Sequence, residues 1–421
     1  IGARQVGASL HGMHFDGIYA SPLRRAKSTA ELILETLPKD GQSLPPLQLK
    51  DTLREVNLMA WEGMTFDAIA DQYPDEFKCW KERPHELRMT IPTPEGDIEI
   101  YPIVSLYKQA RQFWDEVLPN HKDQTILVVG HSAINRALLQ TAMGLEPQDL
   151  MSFHIANCSI SILNIGDQLG KNVQLESLNL TAHLGDPIPA KRPKNKGPRL
   201  LLVRHGETNW NRDGRFQGQI DIPLNENVQY QARKCSDLLA PIAIDQALTS
   251  SLSRPRETAE IILEKHPGVK LLTTDTLVEI SHGTWEGKLE TEIREDYAKE
   301  LDEWQTNPHT VQMPEGENLD DVWRRAEAGW KEAIAAAVEG AADGGKDVVM
   351  LVTAHDAINK AILCQVVGWG PEEFWKFKQG NGAVSVIDYP HGIEGKPLLQ
   401  SMNITTFFGT GVLDKTAAGA L

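Results

Sequence analysis

Leu201-Leu202-Val203-Arg204-His205-Gly206-Glu207-Thr208 reads as an apolar run that stops abruptly on charge and a glycine. With Arg199 and Leu200 it suits a strand buried on both faces, and Arg204-His205-Gly206 then falls on the loop leaving the strand's C-terminal end. This tripeptide has no counterpart in the first half of the chain, although much of what surrounds it does. Leu53, Glu55, Trp61, Glu62 and Gly63 recur as Leu277, Glu279, Trp285, Glu286 and Gly287. Val128 and His131 recur as Val352 and His355, and 279 − 55 and 355 − 131 are both 224. A domain-sized period means two copies of one unit rather than a solenoid.

The repeat places copy one at 1–190, a linker at 191–198 and copy two at 199–421. Prolines and basic residues with few apolar ones mark the Pro187–Pro198 stretch as the connection. A length of 421 residues and 41% hydrophobic content suit two ordinary cores. Apolar runs fall well short of a bilayer span, so no membrane helix is expected. A net charge of −16 argues against general nucleic-acid binding, though a few local arginines still suffice for a phosphate. Cys79, Cys158, Cys235 and Cys364 lack metal-ligand spacing and read as reduced thiols in a cytoplasmic protein. Neither a metal nor a cofactor is expected, and the sequence carries no mark of an oligomeric state beyond the guess that the copies pack as an internal pseudo-dimer.

Strands and helices alternate through copy two. Strand patterns cover Arg199–Val203, Ala247–Ser250, Asp347–Thr353 and Ala383–Tyr389. Helical patterns cover Gln229–Leu239, Arg254–Lys265, Leu319–Val338, with Asn318 as a capping residue answered by Asp321, and Ala357–Val366. Copy one repeats the order, with Thr125–Val129 before His131. Such alternation implies an α/β fold with a largely parallel sheet covered by helices on both faces.

Four blocks in copy two carry the chemistry: Arg204-His205-Gly206 with Asn211; Ser250-x-x-x-Arg254 with Thr258; Glu279 with Gly283 and Trp285-Glu286-Gly287; and His355. Each alone matches by chance or serves structure. Together they occur in order, three of them twice, and two of them end buried strands, where α/β sheets place their ligands.

On these blocks copy two resembles the histidine phosphatase superfamily, which also holds the cofactor-dependent phosphoglycerate mutases. Copy one resembles the same domain without its first strand and Arg-His-Gly element. The resemblance implies two tandem three-layer α/β/α sandwiches, with a reactive histidine at the C-terminal edge of the central sheet. It implies that His205 is the nucleophile, that Glu279 is the proton donor and that Asn211 contacts phosphate. The residue types agree. Arg204 and Arg254 offer guanidinium forks matched to phosphate oxygens, His355 offers a further donor, and neutral imidazole is a nucleophile near neutral pH. The expected reaction is hydrolysis of a small phosphorylated metabolite through phospho-His205.

Copy one keeps Arg25, Glu55 and His131 as a degenerate or incomplete site. Aligning Gly2 and Gln5 with Val228 and Gln231 would put its own Arg-His-Gly ahead of Ile1, so a longer natural protein is expected. Met59 stands where copy two has Gly283, and the loop at Pro92-Thr93-Pro94-Glu95-Gly96 differs from its partner at Met313–Glu317. Family mutases carry basic residues after the proton donor; here Ile280-Ser281-His282-Gly283 follows, which favours a phosphatase over a mutase, with a non-catalytic phospho-ligand binder as the third reading. The tandem arrangement resembles cyanobacterial and plant enzymes acting on sugar phosphates such as 2-carboxy-D-arabinitol 1-phosphate.

Overall fold

The computed structural model describes residues 1–37, 43–191, 195–339, 348–409 and 411–416. Asp347 and the middle of the expected linker, 192–194, lie outside the described residues. The chain divides into two compact units: unit 1 comprises 1–159 and 165–173, unit 2 comprises 160–164 and 174–421.

Unit 1 contains strands β1 (Gly17–Ala20), β2 (Leu47–Leu49), β3 (Met89–Thr93), β4 (Gly96–Ile100) and β5 (Ile126–Val129). Its helices are α1 (Gly2–Ser9), α2 (Arg24–Thr36), α3 (Phe66–Gln72), α4 (Pro74–Glu82), α5 (Pro102–Val117) and α6 (Ser132–Met143). The sheet is parallel, in the order β2-β1-β5. The expected loop at residues 92–96 is instead the turn of the antiparallel β3–β4 hairpin.

Unit 2 is built on β6 (Ile160–Ile165), β7 (Val173–Leu180), β8 (Arg199–Arg204), β9 (Gln246–Ser250), β10 (Leu271–Thr274), β11 (Val349–Ala354), β12 (Val384–Asp388) and β13 (Leu398–Ile404). Its helices are α7 (Asn209–Asp213), α8 (Glu226–Leu239), α9 (Ser253–Leu263), α10 (Glu290–Thr306), α11 (Leu319–Glu339) and α12 (Asp356–Val367). The sheet order is β10-β9-β11-β8-β12-β13-β7-β6. It is parallel from β10 to β8 and antiparallel from β8 through β12 and β13 to β7, so the expected largely parallel sheet is parallel in one half only. Every residue of β8 and β11 is buried. Strands buried on both faces need a helical layer on each; the pair α8–α9 and the pair α11–α12 supply them. The fold is thus α/β in three layers. Asn318 and Asp321 close α11 reciprocally: Asp321 N–H donates to Asn318 Oδ1 at 3.0 Å, and Asn318 N–H to Asp321 Oδ2 at 3.3 Å.

Arg199 opens β8 but is buried. Its guanidinium binds Asp388 of β12 bidentately, at 2.7 and 2.8 Å, and Gln400 donates to the same carboxylate. A charge at the head of an apolar strand is tolerated because its neighbour in register carries the counter-charge.

The repeat boundary and the boundary of compactness differ. By sequence β6 and β7 belong to copy one and match β12 and β13; by packing they extend the sheet of unit 2. They join through like positions. Leu178 pairs with Met402 across the antiparallel β7–β13 edge, and 402 − 178 is again 224. Asn179 Nδ2 donates to Gln400 O at 2.6 Å, and Asn403 Nδ2 donates to Glu176 O at 2.8 Å. Both asparagines are left-handed, with φ of 55° and 54°. An unpaired strand edge invites pairing, and β13 finds its partner in β7, its counterpart from copy one.

Candidate active site

The register of unit 2 brings the four sequence blocks to one sheet edge. Ala354 pairs with Arg204, and His205 N–H donates to Ala354 O at 2.9 Å, so His205 and His355 follow the ends of adjacent strands. Thr249 pairs with Thr353, which sets Ser250 and Arg254 beside them. The two imidazole centroids lie 5.2 Å apart.

His205 Nδ1 is 2.6 Å from Gly206 O. A carbonyl only accepts, so the proton sits on Nδ1 and Nε2 keeps its lone pair. Arg254 Nε donates to that Nε2 at 3.3 Å. Burial, followed by Arg254 and Arg204, holds His205 well below the usual histidine range, so it is neutral. His355 Nε2 lies 2.9 Å from Ser250 Oγ, while its Nδ1 is buried with no partner among the described residues. Burial and then Arg254 keep it neutral too.

Arg254 and Arg204 are almost wholly buried. Arg254 is not an idle fork. One Nη donates to Gly218 O at 2.7 Å and the other to Ile220 O at 3.2 Å. A guanidinium has five N–H groups, so each Nη keeps a second one. Burial lowers the Arg254 pKa to about 10, which leaves it charged at neutral pH. Arg204 Nη1 donates to Gln379 O at 2.5 Å and lies 3.4 Å from Asp356 Oδ1. Asn211 accepts at Oδ1 from Thr208 N–H at 3.1 Å and from Asn381 Nδ2 at 3.3 Å. That turns its amide nitrogen into the end able to donate to a ligand.

Glu279 is buried at the N-terminus of α12. It accepts from Asp356 N–H at 3.0 Å and Ala357 N–H at 3.1 Å, and from its neighbour Ile280 N–H at 3.0 Å. Burial and then the Asp356 carboxylate push its pKa up, against the Ile280 N–H, Arg254 and Arg204. The local result is a nucleophile-type imidazole, a carboxyl group and two guanidinium groups sharing a buried site, with one guanidinium, Arg204, also paired to the Asp356 carboxylate.

Four participants escape the sequence blocks. Asp356 and Lys360 form a buried pair at 2.7 Å. Asn381 reaches His205 O at 3.4 Å, and Gln379 holds Arg204 by its carbonyl. Asn381 had a usable signal, since Asn157 stands 224 residues earlier. Asp356 had none, since Ser132 occupies its place in copy one.

Unit 1 rebuilds part of this arrangement. His131 Nε2 lies 2.9 Å from Ser21 Oγ, and Glu55 accepts from Ala133 N–H at 3.2 Å and Ile134 N–H at 3.1 Å at the head of α6. Arg25 Nε donates to His131 Nδ1 at 3.1 Å, whereas Arg254 Nε donates to His205. The loop after Glu55 also differs. Met59 is 54% exposed, whereas a Cβ on Gly283, at φ +55°, would meet Pro314 O at 2.0 Å.

The family model described as histidine phosphatase superfamily (branch 1) matches residues 1–179 and 200–405. The chain belongs to this superfamily. Among its histidine phosphatase relatives, a wheat (Triticum aestivum) protein named 2-carboxy-D-arabinitol-1-phosphatase is 28% identical over 94% of the chain and 77% of that protein. Phosphoserine phosphatase 1 of Hydrogenobacter thermophilus is 31% identical over 50% of the chain and 94% of its own. Among solved structures of the superfamily fold, Bacillus stearothermophilus YhfR is 27% identical over 47% of the chain and 93% of its own, with a TM-score of 0.43.

Proposed function

We propose that unit 2 hydrolyses phosphate monoesters of small metabolites through a phosphohistidine at His205. Membership of the superfamily and phosphatase-named relatives over most of the chain support the phosphatase class. The observation that carries the reading is the fixed His205 tautomer, whose Nε2 lone pair faces the guanidinium of Arg254.

A phosphoryl oxygen arriving at Nε2 takes over the Arg254 Nε–H. Arg204, Asn211 Nδ2 and His355 Nδ1 offer further donors to the equatorial oxygens, and this preorganised charge supplies most of the stabilisation. His205 Nε2 attacks phosphorus in line as the P–O bond breaks. Glu279 gives its proton to the departing alkoxide. The resulting carboxylate then takes a proton from water, the water oxygen bonds to phosphorus, and the P–N bond breaks. Phosphate leaves, His205 is neutral again and Glu279 is again an acid.

The segment after Glu279 favours hydrolysis over transfer to a second phosphorylated substrate. Ile280 is fully buried, and burial pushes the His282 pKa down to about 3, so neither supplies a cation for a second phosphate. First substrates to assay are 2-carboxy-D-arabinitol 1-phosphate and phosphoserine, after the wheat and Hydrogenobacter relatives. Unit 1 is read as a phosphate-type site without a nucleophile in this chain. A cytoplasmic setting suits four cysteines that form no disulfide. The test is His205→Ala, expected to lower turnover by at least about a thousandfold and to abolish trapping of a phosphohistidine from labelled substrate. Activity within tenfold of the unmodified chain, or stimulation by 2,3-bisphosphoglycerate with net phosphoryl transfer, would replace the reading.

A further inference from the structure

Position 356 separates the two repeats. Where unit 2 has Asp356 and Lys360, unit 1 has Ser132 and Arg136, since 356 − 132 and 360 − 136 are both 224. In unit 1 Arg136 Nη2 donates to Ser132 Oγ at 3.1 Å. Unit 2 carries an ion pair instead, Lys360 Nζ to Asp356 Oδ2 at 2.7 Å, with side chains only 6% and 3% exposed. Two charges are costly to desolvate, so a buried pair is a poor choice for stability alone. Its location gives it another use.

Asp356 touches Glu279 directly, through its backbone N–H at 3.0 Å. Its carboxylate is clamped between Lys360 and Arg204 Nη1, the latter at 3.4 Å. Lys360 is itself held over the Trp375 and Phe374 rings, at 4.6 and 5.0 Å. Several other groups surround Glu279. Arg204 comes from β8 and Arg254 from α9. His205 and His355 are neutral. Arg325 of α11 donates from Nη2 to the Glu279 carbonyl at 3.2 Å and pairs with Glu317. Three amides, those of Ile280, Asp356 and Ala357, donate to the carboxyl oxygens. The arginines and amides favour the ionised form of Glu279 against its burial, and an ionised carboxylate has no proton for the first leaving group. Asp356 is the anion set against them at the head of α12.

We propose that the Asp356–Lys360 pair is a positioning device that keeps Glu279 in its acid form for the first half of the reaction. The charge of Asp356 offsets the arginines, and Lys360, 2.7 Å from Oδ2, holds that carboxylate in place. Asp356 exchanges no proton with substrate. This rests on the phosphohistidine reading with Glu279 as acid.

The test is the pH profile of kcat/KM for an alkyl phosphate, phosphoserine, and for p-nitrophenyl phosphate, whose leaving group needs no acid. The unmodified chain is expected to show an alkaline limb on phosphoserine that Glu279→Gln removes. Asp356→Asn keeps the shape and loses the charge. Its limb is expected about one pH unit lower on phosphoserine, a roughly tenfold loss on the alkaline side, while any loss on p-nitrophenyl phosphate, felt through Arg204, is expected to be the same across the pH range. Asp356→Ser, which copies unit 1, is expected to do the same. Asp356→Glu keeps the charge and is expected to leave the limb in place even where the new length lowers the rate. A purely structural residue would tolerate Asn better than Glu and move neither limb. An unmoved limb in both Asp356→Asn and Asp356→Ser overturns the proposal. So does a loss in Asp356→Asn as deep as that of Glu279→Gln and confined to phosphoserine, which would make Asp356 the donor. A wild-type profile with no limb that depends on Glu279 would instead overturn the reading of Glu279 itself, and this inference with it.

Discussion

His282 has both ring nitrogens buried without partners among the described residues, edge-on to Phe216 at 5.2 Å and to Trp304 at 5.7 Å. Burial pushes its pKa down to about 3. Between that value and the ordinary histidine value the unfolded chain binds a proton that the folded chain refuses, so this residue's contribution to stability falls as pH falls. His205 and His355 act in the same direction, while Glu279, with its raised pKa, acts in the opposite one. Replacing His282 by Leu is expected to remove its share, about 2 kcal/mol of the change in unfolding free energy between pH 7 and pH 5. Urea denaturation at the two pH values measures it; an unchanged difference would mean that the ring titrates normally. At this scale the repeat decided what could be read in advance. Arg254, Glu279 and His355 stood out because Arg25, Glu55 and His131 echo them. Asp356 and Lys360 have no such echo, and their neighbourhood depends on how α12 meets β8.

Among the elements, strands buried on both faces were legible because β8 and β11 carry the apolar runs Leu200–Val203 and Val349–Val352. Helix α10 was not, because its sequence is rich in charge on several sides and its backbone leaves helical geometry at Tyr297, with φ −134° and ψ 39°. Arg199 at the head of β8 was not legible either, since nothing near it in sequence announces Asp388. Asp388→Ala would leave that guanidinium buried without its counter-charge, at an expected cost of about 3–5 kcal/mol. Thermal or urea unfolding of the variant tests this, and a loss below about 1 kcal/mol would mean that water or another group relieves Arg199.

At the scale of the whole chain, periodicity predicted a boundary near 190 but not the migration of the β6–β7 hairpin into the sheet of unit 2. Pattern reports which residues lie inside, and β6 would look the same on either sheet. The left-handed asparagines of the seam give a test. Asn403→Gly keeps the backbone conformation and loses the bonds to Glu176 O and from Gly380 N–H. The expected loss is about 1–3 kcal/mol, and Asn403→Ala adds about 1–2 kcal/mol of backbone strain. Gly380 precedes Asn381 at the site, so Asn403→Gly is expected to lower kcat/KM as well. Asn179→Gly should weaken folding alone. Equal effects on activity would show that the seam reaches the site from both sides.

Leu178 facing Met402 is what an isologous subunit contact becomes when its two halves share one chain. Between separate identical subunits, any substitution there strikes twice and both sides change together. Within one chain that coupling is absent, and a substitution at Leu178 or at Met402 changes one side alone.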